Sequence, residues 1–267
     1  MKRSIPLKRN SVHFVGAALL LAAILLVCSL LPGSYTVSSA PSNLANSTPK
    51  IQATQHYINR TPLITHTTPA FDSSGGGLIV VCASSHSGVF MAPSDSFDNT
   101  WISAVGPTST RIGFDLRTQV WYAKNPRVGP GHTFTLNLST SQPLVISLLV
   151  VSGANVSDPI DAISTIGDDA GSQSSHVASP SITTTNGNDL LIGFAKSATG
   201  QVWASGSEYT AQGAASSSYL GAETGFAETR GRYQATFDLN SPGSWQAVTL
   251  AVKPTSARPS PSSNPAK

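Results

Sequence analysis

The 267-residue chain reads as an all-β protein: a jelly-roll-like antiparallel β-sandwich of about eleven strands, preceded by one N-terminal hydrophobic helix. Three observations carry that expectation. Between residues 51 and 253 there is no long apolar pattern of helical period. The apolar residues fall instead in short runs rich in β-branched and aromatic side chains, separated by Gly, Pro, Asn and Ser. In one of these runs Phe134, Leu136 and Leu138 alternate with Thr133, Thr135 and Asn137, the two-residue period of a strand with one wet face.

The helix comes first. Lys2, Arg3, Lys8 and Arg9 precede 18 residues, Phe14 to Leu31, in which only Ser29 is polar. A membrane span needs about 20 apolar residues and a secretory core about 7–15. The run therefore fits both a long signal peptide and an uncleaved signal anchor, over residues 1–32. The next basic residue is Lys50, so charge asymmetry places the amino end in the cytoplasm and the remainder outside. Val37-Ser38-Ser39-Ala40 offers small residues for cleavage, better after Ser39 than before Pro41. Leu25-Leu26-Val27-Cys28 resembles a lipidation box, but Val27 stands where a small residue belongs.

Residues 33–50, rich in Ser, Pro, Asn and Thr and without periodicity, read as a flexible linker, and the Pro/Ser tail 254–267 reads as disordered. The β-sandwich domain is assigned to 51–253. Its expected strands are Ile51–Ile58, Leu78–Ser84, Thr100–Val105, Leu116–Ala123, Thr133–Leu138, Leu144–Val151, Ser181–Thr184, Leu190–Lys196, Tyr219–Phe226, Arg232–Leu239 and Trp245–Val252. Leu144–Val151 is apolar almost throughout, as a central strand covered on both faces would be. Two halves echo one another. Leu78–Ser85 resembles Leu190–Ser197, and Thr135–Ser139 resembles Thr236–Asn240. Duplication and recurring strand composition account for that echo equally well.

Three segments resemble exported bacterial β-sandwich modules of unassigned function. They are Asp95-Ser96-Phe97-Asp98-Asn99-Thr100-Trp101, Gln119-Val120-Trp121-Tyr122-Ala123-Lys124-Asn125 and Val150-Val151-Ser152-Gly153; the closing stretch from Trp245 to Lys253 is similar too. The resemblance spans residues 75–253. It implies a fold and export, and no reaction.

Composition excludes several classes. Hydrophobic residues make up 40 %, too many for wholesale disorder, and charged residues only 11 %, against about 25 % in ordinary globular proteins. The net charge of +3 suggests nucleic-acid binding until it is located. Residues 51–253 hold nine basic against 13 acidic residues, a net of −4. That leaves no clustered basic footprint for a phosphate backbone. Cys28 lies in the leader, so Cys82 is alone in the exported part. Its neighbours Leu78-Ile79-Val80-Val81 make it a buried small hydrophobe.

No reaction motif is present: no H-E-x-x-H, no G-x-S-x-G, no phosphate loop. Gly75-Gly76-Gly77 precedes a strand and reads as a loop needing unusual backbone angles. His56, His66, His86, His132 and His176 read as partly exposed loop histidines, although His86 with Asp95, or His176 with Asp168 or Asp169, could meet around a serine. The glutamates Glu223 and Glu228 are five apart, on opposite faces of a regular strand, so they do not form a glycosidase pair by themselves. Asp95, Asp98 and Asn99 supply oxygens in a compact turn, a candidate structural calcium site, and are equally ordinary turn formers. Asp158, Asp161, Asp168 and Asp169 form a second acidic stretch. Trp121 and Trp245 sit in strong strands and are expected inside. Trp203, Tyr209 and Trp101 are the candidate ligand-binding aromatics, whose faces suit a sugar ring.

The sequence reading is a secreted or membrane-tethered, non-catalytic binding or adhesion module for glycan or another envelope component, without a cofactor unless structural calcium binds. The alternatives are an exported polysaccharide-acting hydrolase and a purely structural envelope protein.

Overall fold

The computed structural model describes residues 47–112, 114–169, 174–198, 202–212 and 220–255. The expected leader helix, most of the linker and the tail beyond Thr255 lie outside the described residues. Among those described the chain is all-β, with antiparallel pairing throughout and no helix. In particular, no helix among them is long and apolar enough to cross a membrane.

Seventeen strands form among the described residues, against the eleven expected. Each of the eleven predicted runs overlaps a strand, although Ser181–Thr184 is strand only at Ile182–Thr183 and Arg232–Leu239 is broken into Arg232–Tyr233 and Thr236–Leu239. The added ones are mostly pieces of two to four residues that apolar period cannot detect. The first sheet runs β1 (Lys50–Thr67), β6 (Phe134–Ser152), β2 (Leu78–Ser85), β5 (Phe114–Lys124), β4 (Ile102–Ile112), with the short β3 (Ser94–Asp95) also on β6. The second runs β13 (Thr210–Ala211), β14 (Leu220–Ala227), β11 (Asp189–Ser197), β17 (Trp245–Val252), β7 (Ile160–Ile163), with β8 (Gly167–Asp169) also on β17.

These sheets pack face to face. Leu78, Val80, Cys82, Val120, Leu149 and Val151 of the first meet Leu190, Ile192, Phe194, Ala222, Val248 and Leu250 of the second in one core. Each sheet is also covered on its outer face. On the first, β1 and β6 stay paired through a bend, Lys50–Asn59 against Ser152–Leu144 and Leu63–Thr67 against Gln142–Thr135. The bend brings Phe134, Leu136 and Leu138 over Ile79, Val81, Trp121 and Leu148. The two runs predicted as separate strands, Thr133–Leu138 and Leu144–Val151, are thus one bent strand. On the second sheet, the ribbon of β12 (Val202–Ser205), β16 (Thr236–Leu239) and β9 (His176–Ala178) covers Ala195 and Ala247, while β10 (Ile182–Thr183) with β15 (Arg232–Tyr233) covers Leu191 and Ala251. Covering both faces explains why β2, β11 and β17 are buried at every residue and why their sequences are apolar runs rather than alternations.

The sandwich expectation holds at that level, but the jelly-roll wrapping does not. A jelly roll winds its chain back and forth between two sheets through Greek keys. Here each sheet takes its strands from one contiguous half of the chain. The halves also agree in register. Leu78 faces Val151 on β6 and Lys124 on β5; Leu190 faces Val252 on β17 and Phe226 on β14. The sequence echo between Leu78–Ser85 and Leu190–Ser197 therefore falls on strands with the same neighbours on both sides. The domain boundary moves slightly outward, since Pro254 bridges Ala154 and the Thr255 amide donates to the Gly153 carbonyl.

Candidate functional site

The histidine that meets an aspartate and a serine in the first half is His132, not His86. Its Nδ1 lies 2.8 Å from Ser73 Oγ, and its Nε2 lies 3.6 Å from Asp95 Oδ1, an electrostatic contact too long for a hydrogen bond. The set has the membership of a nucleophilic triad without its access. Ser73, on the loop after β1, is fully buried, and its hydroxyl is also bracketed by the Gly129 amide and carbonyl. The His132 ring is stacked on Phe71 and capped edge-on by Phe97. No reacting atom can reach Ser73 Oγ, and the set ties two loops to β3. His176 meets Asp238, at 2.9 Å on the surface.

The Asp95 turn uses its oxygens internally. Asp95 Oδ1 accepts from the Phe97 and Asn99 amides, and Oδ2 accepts from Trp101 Nε1 at 2.8 Å. Burial works against its charge, but these donors and His132 together hold its carboxyl down at about 2. Asn99 Oδ1 accepts from the Arg127 amide. A calcium ion on Asp95, Asp98 and Asn99 would have to displace this network. The αL backbone of Asp98 (φ 56°) marks it as a turn residue.

Trp101 and Tyr209 pack against different core clusters. Trp101 is half-buried, held by Asp95 and packed edge-on against Phe134 with centroids 4.9 Å apart. That is a core anchor, because its one polar atom is already spent inside. Tyr209 is half-buried over Gly206 and Gly225, and its hydroxyl donates to the Gln234 carbonyl. Trp203 lies on β12. Trp121 and Trp245 pack inward as expected.

The carboxylates divide similarly. Glu223 is fully buried beneath the second sheet's outer layer and accepts from the Gly206 and Thr236 amides, whereas Glu228 is exposed. Burial outweighs those two donors and pushes the Glu223 carboxyl up to about 8. Asp189, fully buried, is pushed up to about 7 by burial and by neighbouring Asp161, with Lys253 opposing. Asp161 itself is tied down by Thr185 and Asn186.

A concave feature lies at one end of the inter-sheet core. A cavity of about 270 Å³ is lined by Ile58 and Arg60 of β1, Ser84, Ser85 and His86 at the end of β2, Pro143, Leu144 and Val145 at the β6 bend, and Lys196 and Ala198 at the end of β11. Ser84 and Lys196 continue the inward-facing rows of Val80 and Cys82 and of Ile192 and Phe194. The apolar core thus ends in a polar layer, in which Thr118 Oγ1 donates to Ser84 and Gln246 Nε2 donates to the Thr108 and Leu116 carbonyls. Lys196 is only 4 % exposed, and burial lowers its ammonium to about 7. His86 is lowered by partial burial and by the charge of Lys196.

Of these lining residues the sequence singled out only His86, and that with Asp95 rather than with this cavity, although a signal for Lys196 existed. A lysine following Leu190-Leu191-Ile192-Gly193-Phe194-Ala195 is a charge at the end of a strand that must be buried on both faces. His66 and His132 depart from the loop-histidine reading, being fully buried, and His66 bonds the Leu63 and Gln142 carbonyls to fasten the β1–β6 bend. Among the described residues no group of three His, Cys, Asp or Glu side chains is placed to hold a metal ion. No protein-family model matches the chain, and no curated protein or solved structure matches it either.

Proposed function

We propose that the chain is an exported binding or adhesion module, secreted or tethered through its N-terminal apolar segment, that recognises glycan or another envelope component without catalysing a reaction. The observation that carries this reading is the cavity where the two sheets meet. It is the concave place at which apolar walls (Ile58, Pro143, Leu144, Val145) and several polar groups converge on one small volume. The rest of the described surface offers less. The triad-like Ser73 is sealed, Glu223 is buried while Glu228 is exposed just beyond the end of β14, and Trp101 is used internally. Export is supported by the cationic start, the 18-residue apolar run and the absence of acidic residues before Asp72.

A glycan array probed with the full chain tests the binding role. Binding that is lost in Ile58→Trp, which fills the cavity from an exposed position, supports it; an array that stays silent removes it. Release of reducing ends from a bound glycan would replace the non-catalytic reading with the hydrolase. A mature protein whose first residue falls near position 40 would exclude the tethered form.

A further inference from the structure

Among the described residues that line the cavity, the charged and protonatable side chains are all basic. Arg60 comes from β1, His86 from the end of β2 and Lys196 from β11, and no carboxylate is among the described lining residues. The β6 bend contributes only Pro143, Leu144 and Val145. Behind the wall, the residues paired with Ser84 and Ser85 on β5 are Thr118 and Arg117, and the residue paired with Lys196 on β17 is Gln246. In register, Asp115 lies two residues before Arg117 on β5, and Asp168 and Asp169 lie on β8, with β17 between them and β11. In a domain whose residues 51–253 carry a net of −4, three cationic or protonatable groups around one cavity are a local reversal. Ser84 accepts from Thr118 and keeps its own hydroxyl proton to donate.

We infer that this cavity binds the carboxylate of an acidic sugar residue, with Arg60 and Lys196 as counter-charges and Ser84 as a hydrogen-bond donor. The choice of a sugar rests on the binding-module reading above; the choice of an anion rests on the lining alone. About 270 Å³ suits one small residue rather than a length of polymer. Ile58, Leu144 and Val145 supply an apolar wall for the C–H face of a ring, while the cations define the end where the carboxylate sits. The position of Lys196 adds a signature. Its ammonium loses its proton near pH 7 in the folded protein, and a bound carboxylate favours the charged form. Binding above neutrality is therefore coupled to proton uptake, and affinity declines as pH rises.

Calorimetric titration of the full chain with glucuronate, glucose and inorganic sulfate tests this, at pH 6.5 and 8.5 and in two buffers of different ionisation heat. Glucuronate is expected to bind at least tenfold more tightly than glucose, with net proton uptake at pH 8.5. Lys196→Met and Arg60→Ala should each weaken glucuronate at least fivefold. Lys196→Arg, which keeps its charge at both pH values, should retain binding and lose the proton uptake. Because Arg60 is exposed, its variant reads the site even if a Lys196 variant folds poorly. Equal affinity for glucose and glucuronate overturns the inference and leaves the binding module standing. Sulfate binding as tightly as glucuronate overturns the sugar and assigns a bare oxyanion site. No glucuronate binding at either pH overturns the inference, and the binding module then depends on the array result.

Discussion

Lys196 occupies on β11 the register position that Ser84 occupies on β2. Ser84 pairs with Val145 on β6 and Lys196 pairs with Gln246 on β17, at matching places in the two halves, and both line the same cavity. The two halves thus meet at equivalent strand ends, and their difference there, a hydroxyl against an ammonium, gives the cavity its chemistry.

The buried Lys196 should govern stability on the alkaline side. Its folded-state value of about 7 lies below the ordinary 10.5, so between those pH values the unfolded chain binds a proton that the folded chain has released. Stability then rises as pH goes from about 7 to 10.5. Urea denaturation across pH 6–10.5 should show that rise in the parent and lose it in Lys196→Met, which should also be the more stable protein at pH 6.

Glu223 imposes the opposite slope. Its carboxyl titrates at about 8 in the fold against an ordinary 4.5, so the folded state holds a proton that the unfolded state has given up. Its contribution is fully present below 4.5 and declines as pH rises to about 8. Glu223→Gln should flatten the 4.5–8 interval, with the residual fall assigned to Asp189, which shifts in the same direction. An unchanged slope in Glu223→Gln would mean the carboxyl is ionised in the core.

The Asp95 network should behave as a structural latch rather than a calcium site. Asp95→Ala leaves Trp101 Nε1 and two backbone amides without their acceptor, at about 1–3 kcal/mol for each buried group left unpaired. A loss of at least about 3 kcal/mol is expected by chemical denaturation. With its carboxyl at about 2 against an ordinary 3.8, the latch is intact above 3.8 and fails as pH falls through 2. A chelator should leave Tm unchanged; a drop of several degrees would restore calcium to this turn.

Gly193 should not tolerate a methyl group. In the first half Val81 faces Trp121; at the matching place Gly193 faces Glu223. A Cβ on Gly193 would lie 2.5 Å from the Ala235 Cβ and 2.9 Å from Glu223 Cγ. Gly193→Ala should cost about 1–3 kcal/mol through overpacking, whereas an ordinary strand glycine would gain from alanine. Relief of that cost in the double variant Gly193→Ala, Glu223→Ala would show that the glycine makes room for the buried acid.

The amino-acid order by itself determined the class of this fold and most of its strands, because strand period and buried apolar runs are local: Phe134-Leu136-Leu138 alternate, and Leu78–Ser85 is apolar since both its faces are covered. It also carried the echo between the halves, in the likeness of Leu78–Ser85 to Leu190–Ser197. It placed Cys82 correctly, for the same local reason, and burial raises its thiol well above the ordinary value. What only the tertiary structure decided was partnership. The separation of each half into its own sheet, the bend that carries Phe134 over Trp121, the choice of His132 over His86 for Asp95, and the meeting of Arg60, His86 and Lys196 around one cavity all join residues far apart in the chain. No local pattern encodes such pairings, because they follow from which faces remain to be covered once the sheets have formed.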